Sequence, residues 1–203
     1  GTAADEDIEA TDASGDDGYA TAYPAGTARP TASNVNTTGA GDIRANLVVV
    51  PIGADGKVSL FGFRTEDLLV DVAGWFTSTT TPAADTGRLT VQPSVRVVDT
   101  RQSPVVGFGP LAANASATLD VVPPLPATAT AVVQNLTVPT SSAWGFVTAT
   151  PDGATAEVSN LNLTGAGQTR AALAITDVPA NQTVRYGSFA ATPLVVDIYG
   201  YFS

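Results

Sequence analysis

Two closely similar strand sequences decide the fold: residues 68–76 read LLVDVAGWF, and residues 194–202 read LVVDIYGYF. They are separated by 126 positions, and the same offset holds without a gap from Ser33 to Phe76, where 18 of 44 residues are identical. Such a duplication defines the structural unit of the chain. Within each copy, apolar residues alternate with other residues, as they do in a strand with one buried face.

Short alternating segments rich in Val, Thr and aromatic residues fill the rest of each copy, with Gly-rich turns roughly every ten residues between them. This pattern predicts an all-β chain of tandem antiparallel β-sandwich modules, jelly-roll or Ig-like. The first module is incomplete because it has no counterpart of residues 89–127. The predicted divisions are an acidic N-terminal arm (1–17), an incomplete first module (18–76), a linker (77–88) and a complete second module (89–203).

The charge of the chain excludes several classes of partner. It carries 9 Lys and Arg against 19 Asp and Glu, a formal net charge of −10, which opposes the phosphates of nucleic acid and anionic lipid. No apolar run approaches the ~20 residues that span a bilayer, so we expect no membrane insertion. Seven of the acids lie in residues 1–17. We interpret this segment as a solvated arm; the alternatives are a partner-binding tail or a strand at Ile8 to Thr11 that partly fills the gap.

The chain has no Cys and no His, and therefore lacks the usual residues of nucleophilic triads and of zinc sites. We predict no enzyme activity, no cofactor and no metal site. The acids Asp99 and Asp197 form the one pair that resembles a glycosidase pair, but a general acid also needs a cleft and a raised pKa.

The repeated strand has two faces in this interpretation. One face is assigned to the core, and it carries Leu68, Val70, Val72, Phe76, Leu194, Val196, Ile198 and Phe202. The opposite face carries the candidate ligand-binding residues Asp71, Trp75, Asp197, Tyr199 and Tyr201. An acid beside exposed aromatic rings is typical of sugar-binding surfaces. The alternative is that the acid caps a neighbouring backbone and the ring packs against a loop.

Two further motifs predict structural roles. The Ser-Asn-x-Asn motif contains Asn34 and Asn36 in one copy, and Asn160 and Asn162 in the other. Amide oxygens suit calcium, but Asn before a Gly-rich turn more often stabilises the turn.

The other motif belongs to the complete copy alone, where Arg96, Asp99 and Arg101 mark an edge strand. We expect Arg101 to form a bidentate ion pair with Asp197 or Asp99.

Several motifs in order resemble a repeat module of secreted actinobacterial proteins, one often attached to cell-wall amidases, peptidases and glycosidases. The motifs are RVVDTR (96–101), AVVQNLT (131–137), SNVN (33–36), ANLVVVP (45–51), GADGKVSL (53–60) and VDVAGWF (70–76). The resemblance implies a secreted, non-catalytic module at the cell surface. It brings no agreed ligand and no catalytic residue, and the first copy departs from it by lacking the Asp-Thr-Arg half.

We therefore predict a non-catalytic extracellular module that binds cell-wall or other polysaccharide. The alternative function is a self-assembling subunit of a fibre or surface layer, because an incomplete sandwich exposes edges to which another chain can add a strand. The expected partners are accordingly cell-wall polysaccharide or copies of the chain itself. The missing strands of the first module could also belong to a longer array from which this chain was cut.

Overall fold

The computed structural model describes residues 3–12, 17–31, 33–53, 55–64, 66–76, 87–102, 104, 106–154 and 158–203. Every secondary-structure element in these residues is a β-strand, which confirms the predicted all-β fold. The chain divides into two compact units, Gly1–Ala83 (unit 1) and Ala84–Ser203 (unit 2), and each is a sandwich-like pair of antiparallel sheets. A helix long and apolar enough to cross a membrane is absent from the described residues.

Unit 1 consists of two three-stranded sheets with strand orders β4-β1-β6 and β3-β2-β5. The strands are β1 (Ala3–Asp12), β2 (Asp17–Pro24), β3 (Val35–Thr38), β4 (Ile43–Pro51), β5 (Val58–Gly62) and β6 (Glu66–Phe76). Small residues dominate the core, which contains Ile8, Ala10, Ala20, Ala22, Val35, Val48 and Val50. The unit therefore depends on few large apolar side chains.

Unit 2 consists of two four-stranded sheets with strand orders β12-β9-β14-β7 and β11-β10-β13-β8. The strands are β7 (Leu89–Asp99), β8 (Ala115–Asp120), β9 (Ala131–Val138), β10 (Trp144–Pro151), β11 (Leu161–Thr164), β12 (Arg170–Asp177), β13 (Thr183–Ser188) and β14 (Val195–Phe202). A polar chain crosses its apolar core: the Tyr186 hydroxyl donates to Gln134 Oε1 at 2.7 Å, and Gln134 Nε2 donates to Thr176 Oγ1 at 3.0 Å. All three side chains are buried, and these bonds satisfy their polar atoms.

The six strands of unit 1 correspond to β9–β14 of unit 2. β1 lies between β4 and β6, as β9 lies between β12 and β14, and β2 lies between β3 and β5, as β10 lies between β11 and β13. The two additional strands of unit 2 are β7, which pairs with β14, and β8, which pairs with β13. Among the described residues no strand takes either place in unit 1, so β6 and β5 are edge strands and unit 1 is the incomplete copy.

The acidic segment predicted as a solvated arm instead contains a central strand. β1 pairs with β4 on one side and β6 on the other, and its residues Ile8 and Ala10 are fully buried. It is the counterpart of β9 in unit 2. The solvated arm was wrong, because Ile8 and Ala10 are spaced by two and therefore lie on one face of a strand. The alternative of a strand at Ile8 to Thr11 is present as part of β1, but as the counterpart of β9 it does not take the place of β7 or β8.

The predicted linker lies mostly outside the described residues, which resume at Gly87. Arg88, its last residue, exchanges backbone hydrogen bonds with Ser203. This pairing continues the ladder of β7 and β14 by one residue, so Arg88 belongs structurally to unit 2.

A β-bulge recurs at the same place in both units. β14 skips Tyr199 in pairing with β9, and β6 skips Ala73 in pairing with β1. The extra residue reverses the alternation of faces beyond it. Tyr201 consequently packs against the core of unit 2, whereas simple alternation placed Tyr201 opposite the core and Phe202 within it. Leu194, Val196 and Ile198, which precede the bulge, are buried as expected.

Candidate functional site

Asp197 was predicted to face a ligand, but it forms an ion pair that joins two strands. It lies opposite Arg96 in the pairing of β14 with β7. Arg96 Nε donates to Asp197 Oδ1 at 2.9 Å and Arg96 Nη2 donates to Asp197 Oδ2 at 3.1 Å. This bidentate geometry fixes the register of the two strands and occupies both carboxylate oxygens.

Asp99 is buried at the end of β7 and is surrounded by donors. Arg101 donates to it from its backbone N at 3.1 Å, from Nε at 2.9 Å and from Nη2 at 2.8 Å. Arg96 and Gln102 donate to the same carboxylate. Arg101 therefore pairs with Asp99, whereas Arg96 contacts both Asp197 and Asp99. Chiefly because of the hydrogen bond from Arg101, the pKa of Asp99 lies well below its ordinary value, the opposite of what a general acid requires.

We expect the ion pair between buried Asp99 and Arg101 to make unit 2 sensitive to acid. A carboxylate with a pKa lowered by folding contributes stability above its unfolded pKa of about 3.9, and this contribution is lost as the pH falls toward the folded value. Urea unfolding is followed by Trp144 fluorescence in a Trp75→Phe background. The urea concentration at half unfolding should decrease as the pH is lowered from 5 to 2. The Asp99→Asn variant should show a smaller fall, and an equal fall in both proteins would contradict the assignment.

The four predicted asparagines make matching hydrogen bonds in the two units. Asn34 Oδ1 accepts from the backbone N of Ala22, and Asn160 Oδ1 accepts from that of Ala149, both at 2.7 Å. Asn36 and Asn162 each accept from the serine hydroxyl three residues earlier. Each motif thus attaches a short strand to its neighbour, β3 to β2 and β11 to β10.

The remaining predicted ligand residues differ in exposure between the two units. Asp71 and Trp75 are exposed on β6 of unit 1, and Tyr199 is partly exposed on β14 of unit 2. Tyr201 packs against the core and Asp197 is held by Arg96. The acid-and-aromatic combination predicted from the sequence is therefore open to solvent in unit 1 alone.

A cluster of rings on the outer face of unit 2 was not predicted from the sequence. The Phe189 ring lies between those of Trp144, at a centroid distance of 4.7 Å, and Phe146, at 5.5 Å. Val147, next to Phe146 on β10, points into the core, so Phe146 faces outward. Trp144 is 62 % exposed and Phe146 is 37 % exposed. We call these three residues the aromatic surface of unit 2.

Unit 1 has a corresponding aromatic surface formed by Tyr19, Phe61 and Phe63. The Tyr19 and Phe63 rings stack at 5.0 Å with an angle of 13° between their planes, and Phe61 lies 5.9 Å from Tyr19. The Arg29 guanidinium lies 3.8 Å above the Phe61 ring and donates to the Tyr19 hydroxyl at 3.0 Å. The Arg64 guanidinium lies 4.9 Å from the centroid of the Phe63 ring, so Arg29 and Arg64 both add a positive charge to this aromatic surface.

The two aromatic surfaces occupy equivalent positions. Tyr19 corresponds to Phe146, and Phe63 corresponds to Phe189. In each pair, the backbone N of the second residue donates to the backbone O of the first. The repeat itself therefore contained the signal, because aligning the copies places aromatic residues at the same two positions. Exposed rings of this kind offer flat apolar area to a ligand or partner.

No known protein family matches this sequence, and neither the curated proteins nor the solved structures with which we compared it gave a match.

Proposed function

We propose that this chain is a non-catalytic extracellular module that binds polysaccharide at a cell surface through its two aromatic surfaces. The observation that supports the proposal is the stacked aromatic pair present on the outer face of each unit. Side chains buried in a core stabilise the fold, but Trp144 and Phe63 keep half or more of their surface in solvent. Secretion and attachment to the cell surface rest on the resemblance described above.

The chemistry of the rings fits a sugar chain. A pyranose ring has an apolar face of C–H groups that can lie against an aromatic ring, and several rings in a row can hold successive sugar units. In unit 1, the charge of Arg29 beside the rings favours a glycan that carries carboxylate or phosphate groups. A net charge of −10 on the whole chain weakens unspecific attraction to such a polymer, so binding depends on the rings.

The proposal places sugar binding away from the residues first predicted for it. Tyr201 and Asp197 of β14 make contacts that stabilise unit 2, and Asp99 has a lowered pKa. These contacts give Asp99 and Asp197 a structural explanation that needs no catalysis.

Cosedimentation with purified Gram-positive cell-wall sacculi tests the proposal. We expect Trp144→Ala to weaken binding about tenfold, because loss of one well-packed ring at a contact typically costs more than 1 kcal/mol and 1.4 kcal/mol is a factor of ten. Phe63→Ala should weaken binding through unit 1, and the double variant should lose most of it.

The matched control is Trp75→Ala, which removes an exposed tryptophan outside both aromatic surfaces. Its binding should stay within about twofold of the unchanged chain. Equal binding by the Trp144→Ala and Phe63→Ala double variant and the unchanged chain would reject these surfaces as the binding site. Loss of binding in Trp75→Ala alone would return the site to β6.

A further inference from the structure

The edge of β6 is uncovered at positions that are buried in unit 2. Val72 is 65 % exposed, whereas its counterpart Ile198 is fully buried; Leu69 is 60 % exposed, whereas its counterpart Val195 is 3 % exposed. Val72 and Phe76 were predicted to lie in the core, but both are exposed. In unit 2 this edge is covered by β7, which pairs with β14 from Asp99 to Leu89.

The neighbouring sheet is open on the same side of unit 1. Leu60 on β5 is 43 % exposed, whereas its counterpart Tyr186, which pairs with Ala117 of β8, is fully buried. Both open edges thus correspond to strands that are covered in unit 2. Unpaired edges with exposed apolar residues are the usual acceptors of an added strand.

Gly74 gives independent support for a missing strand. In unit 2 the equivalent Gly200 lies under β7, where a Cβ atom would stand 2.6 Å from the backbone O of Thr90. A side chain at Gly200 is therefore excluded by the covering strand. At Gly74 a Cβ atom would meet nothing within 4 Å, and its φ lies outside the left-handed region. Unit 1 thus has a glycine where the described structure requires none, and a strand placed like β7 would require it.

Asp71 indicates the chemistry of the absent strand. Its counterpart Asp197 binds Arg96 of β7 with two hydrogen bonds. Asp71 is exposed on β6, and no described arginine pairs with it. With the register of unit 2, an added strand would place an arginine opposite Asp71, a valine opposite Val72 and a small polar residue opposite Trp75.

We propose that β6 is the docking site for an extended polypeptide strand of the β7 type, anchored by an arginine at Asp71. The described residues contain two strands that accept this partner, β6 and β14, and one that can supply it, β7, which β14 already uses. Exchange of β7 between copies would uncover β14 in the donor. The partner is therefore a segment other than β7 of this chain, with the same sequence pattern as β7.

A synthetic peptide with the sequence of residues 88–102 tests this proposal on the full chain. A Trp144→Phe substitution leaves Trp75 as the reporter of β6. We expect saturable binding, a blue shift of Trp75 fluorescence and slower amide exchange within residues 66–76. The proposal is overturned if neither the shift nor the protection is seen at peptide concentrations up to about 1 mM. A dissociation constant of that size corresponds to a binding free energy of roughly −4 kcal/mol.

Two substitutions test the register. Gly74→Ala should lower the affinity for the peptide at least tenfold without lowering the stability of unit 1, because only the added strand approaches that position. Asp71→Arg should also lower the affinity for the peptide. A peptide carrying Arg96→Asp should restore the affinity of the Asp71→Arg chain, as expected for directly paired charges. Unchanged affinity in Gly74→Ala would overturn the proposed register.

Self-association is a separate outcome of the same experiment. Oligomers of the chain could shift the Trp75 fluorescence without peptide and resist dissociation by excess peptide. Such a result would show that β6 is covered by a surface of a second copy other than a β7-type strand. That result would contradict the proposal. The test is also independent of polysaccharide binding, since Gly74→Ala should bind sacculi like the unchanged chain.

Discussion

Replacing Ile8 by alanine will strongly destabilise unit 1, with an expected loss of about 2–5 kcal/mol in the free energy of unfolding. Ile8 is fully buried in β1, and it is the largest fully buried side chain among the described residues of its unit. The other buried residues of that core are alanine and valine, and the larger Ile52 and Leu68 are only partly buried against it, so few long side chains can fill the cavity. Since a small domain has roughly 5–15 kcal/mol in total, much of unit 1 should unfold under mild denaturant.

Urea unfolding of a Trp144→Phe background, followed by Trp75 fluorescence, measures the effect of Ile8→Ala. The control is Leu69→Ala, which removes an aliphatic side chain from an exposed position in the same sheet. It should change the stability by less than about 0.5 kcal/mol. Equal effects of the two substitutions would show that residue 8 lies outside the core.

Replacing Gly200 by alanine will loosen β7 from β14 in unit 2. The new methyl group would lie 2.6 Å from the Thr90 carbonyl oxygen, and a backbone atom in a paired strand cannot yield as a flexible side chain would. We expect a loss of about 1–3 kcal/mol or more, together with weaker contact between Arg96 and Asp197. Unfolding followed by Trp144 in a Trp75→Phe background, with amide exchange of β7, measures both effects.

Gly74→Ala is the matched control for Gly200→Ala, because it makes the same change at the equivalent position of an uncovered strand. It should leave unit 1 as stable as before or slightly more stable, since alanine loses less conformational entropy than glycine in a strand. If Gly200→Ala proved equally harmless, close approach of β7 would not be the reason for a glycine at that position.

The repeat made most of the architecture predictable. The offset of 126 residues, the alternation around Val70 and Val196, and the turn sequences together led to two sheet-built modules, of which the first is incomplete. The bulge at Ala73 and Tyr199 was not predictable, because an extra residue in a strand leaves no mark in a pattern of apolar positions. It changed the assignment of Tyr201, and with it one of the predicted ligand residues.

The aromatic surfaces were harder to predict than the strands. Tyr19 and Phe63 lie 44 positions apart in the chain and meet only because β2 pairs with β5. Neither residue stands in a motif with recognised chemistry. The ion pairs illustrate the same limit, since the sequence suggested Asp99 or Asp197 as the partner of Arg101 and only the pairing of β7 with β14 distinguishes them.

The difference between the edges of β6 and β14 determines how each unit responds to its surroundings. β7 is covalently linked to β14 through the chain, so the entropy of bringing them together belongs to folding, and dilution does not separate them. A strand that binds β6 from another molecule obeys mass action, and its stabilising effect grows with the logarithm of its free concentration. Thermal stability is then a fixed property of unit 2, whereas for unit 1 it would report how much partner is present.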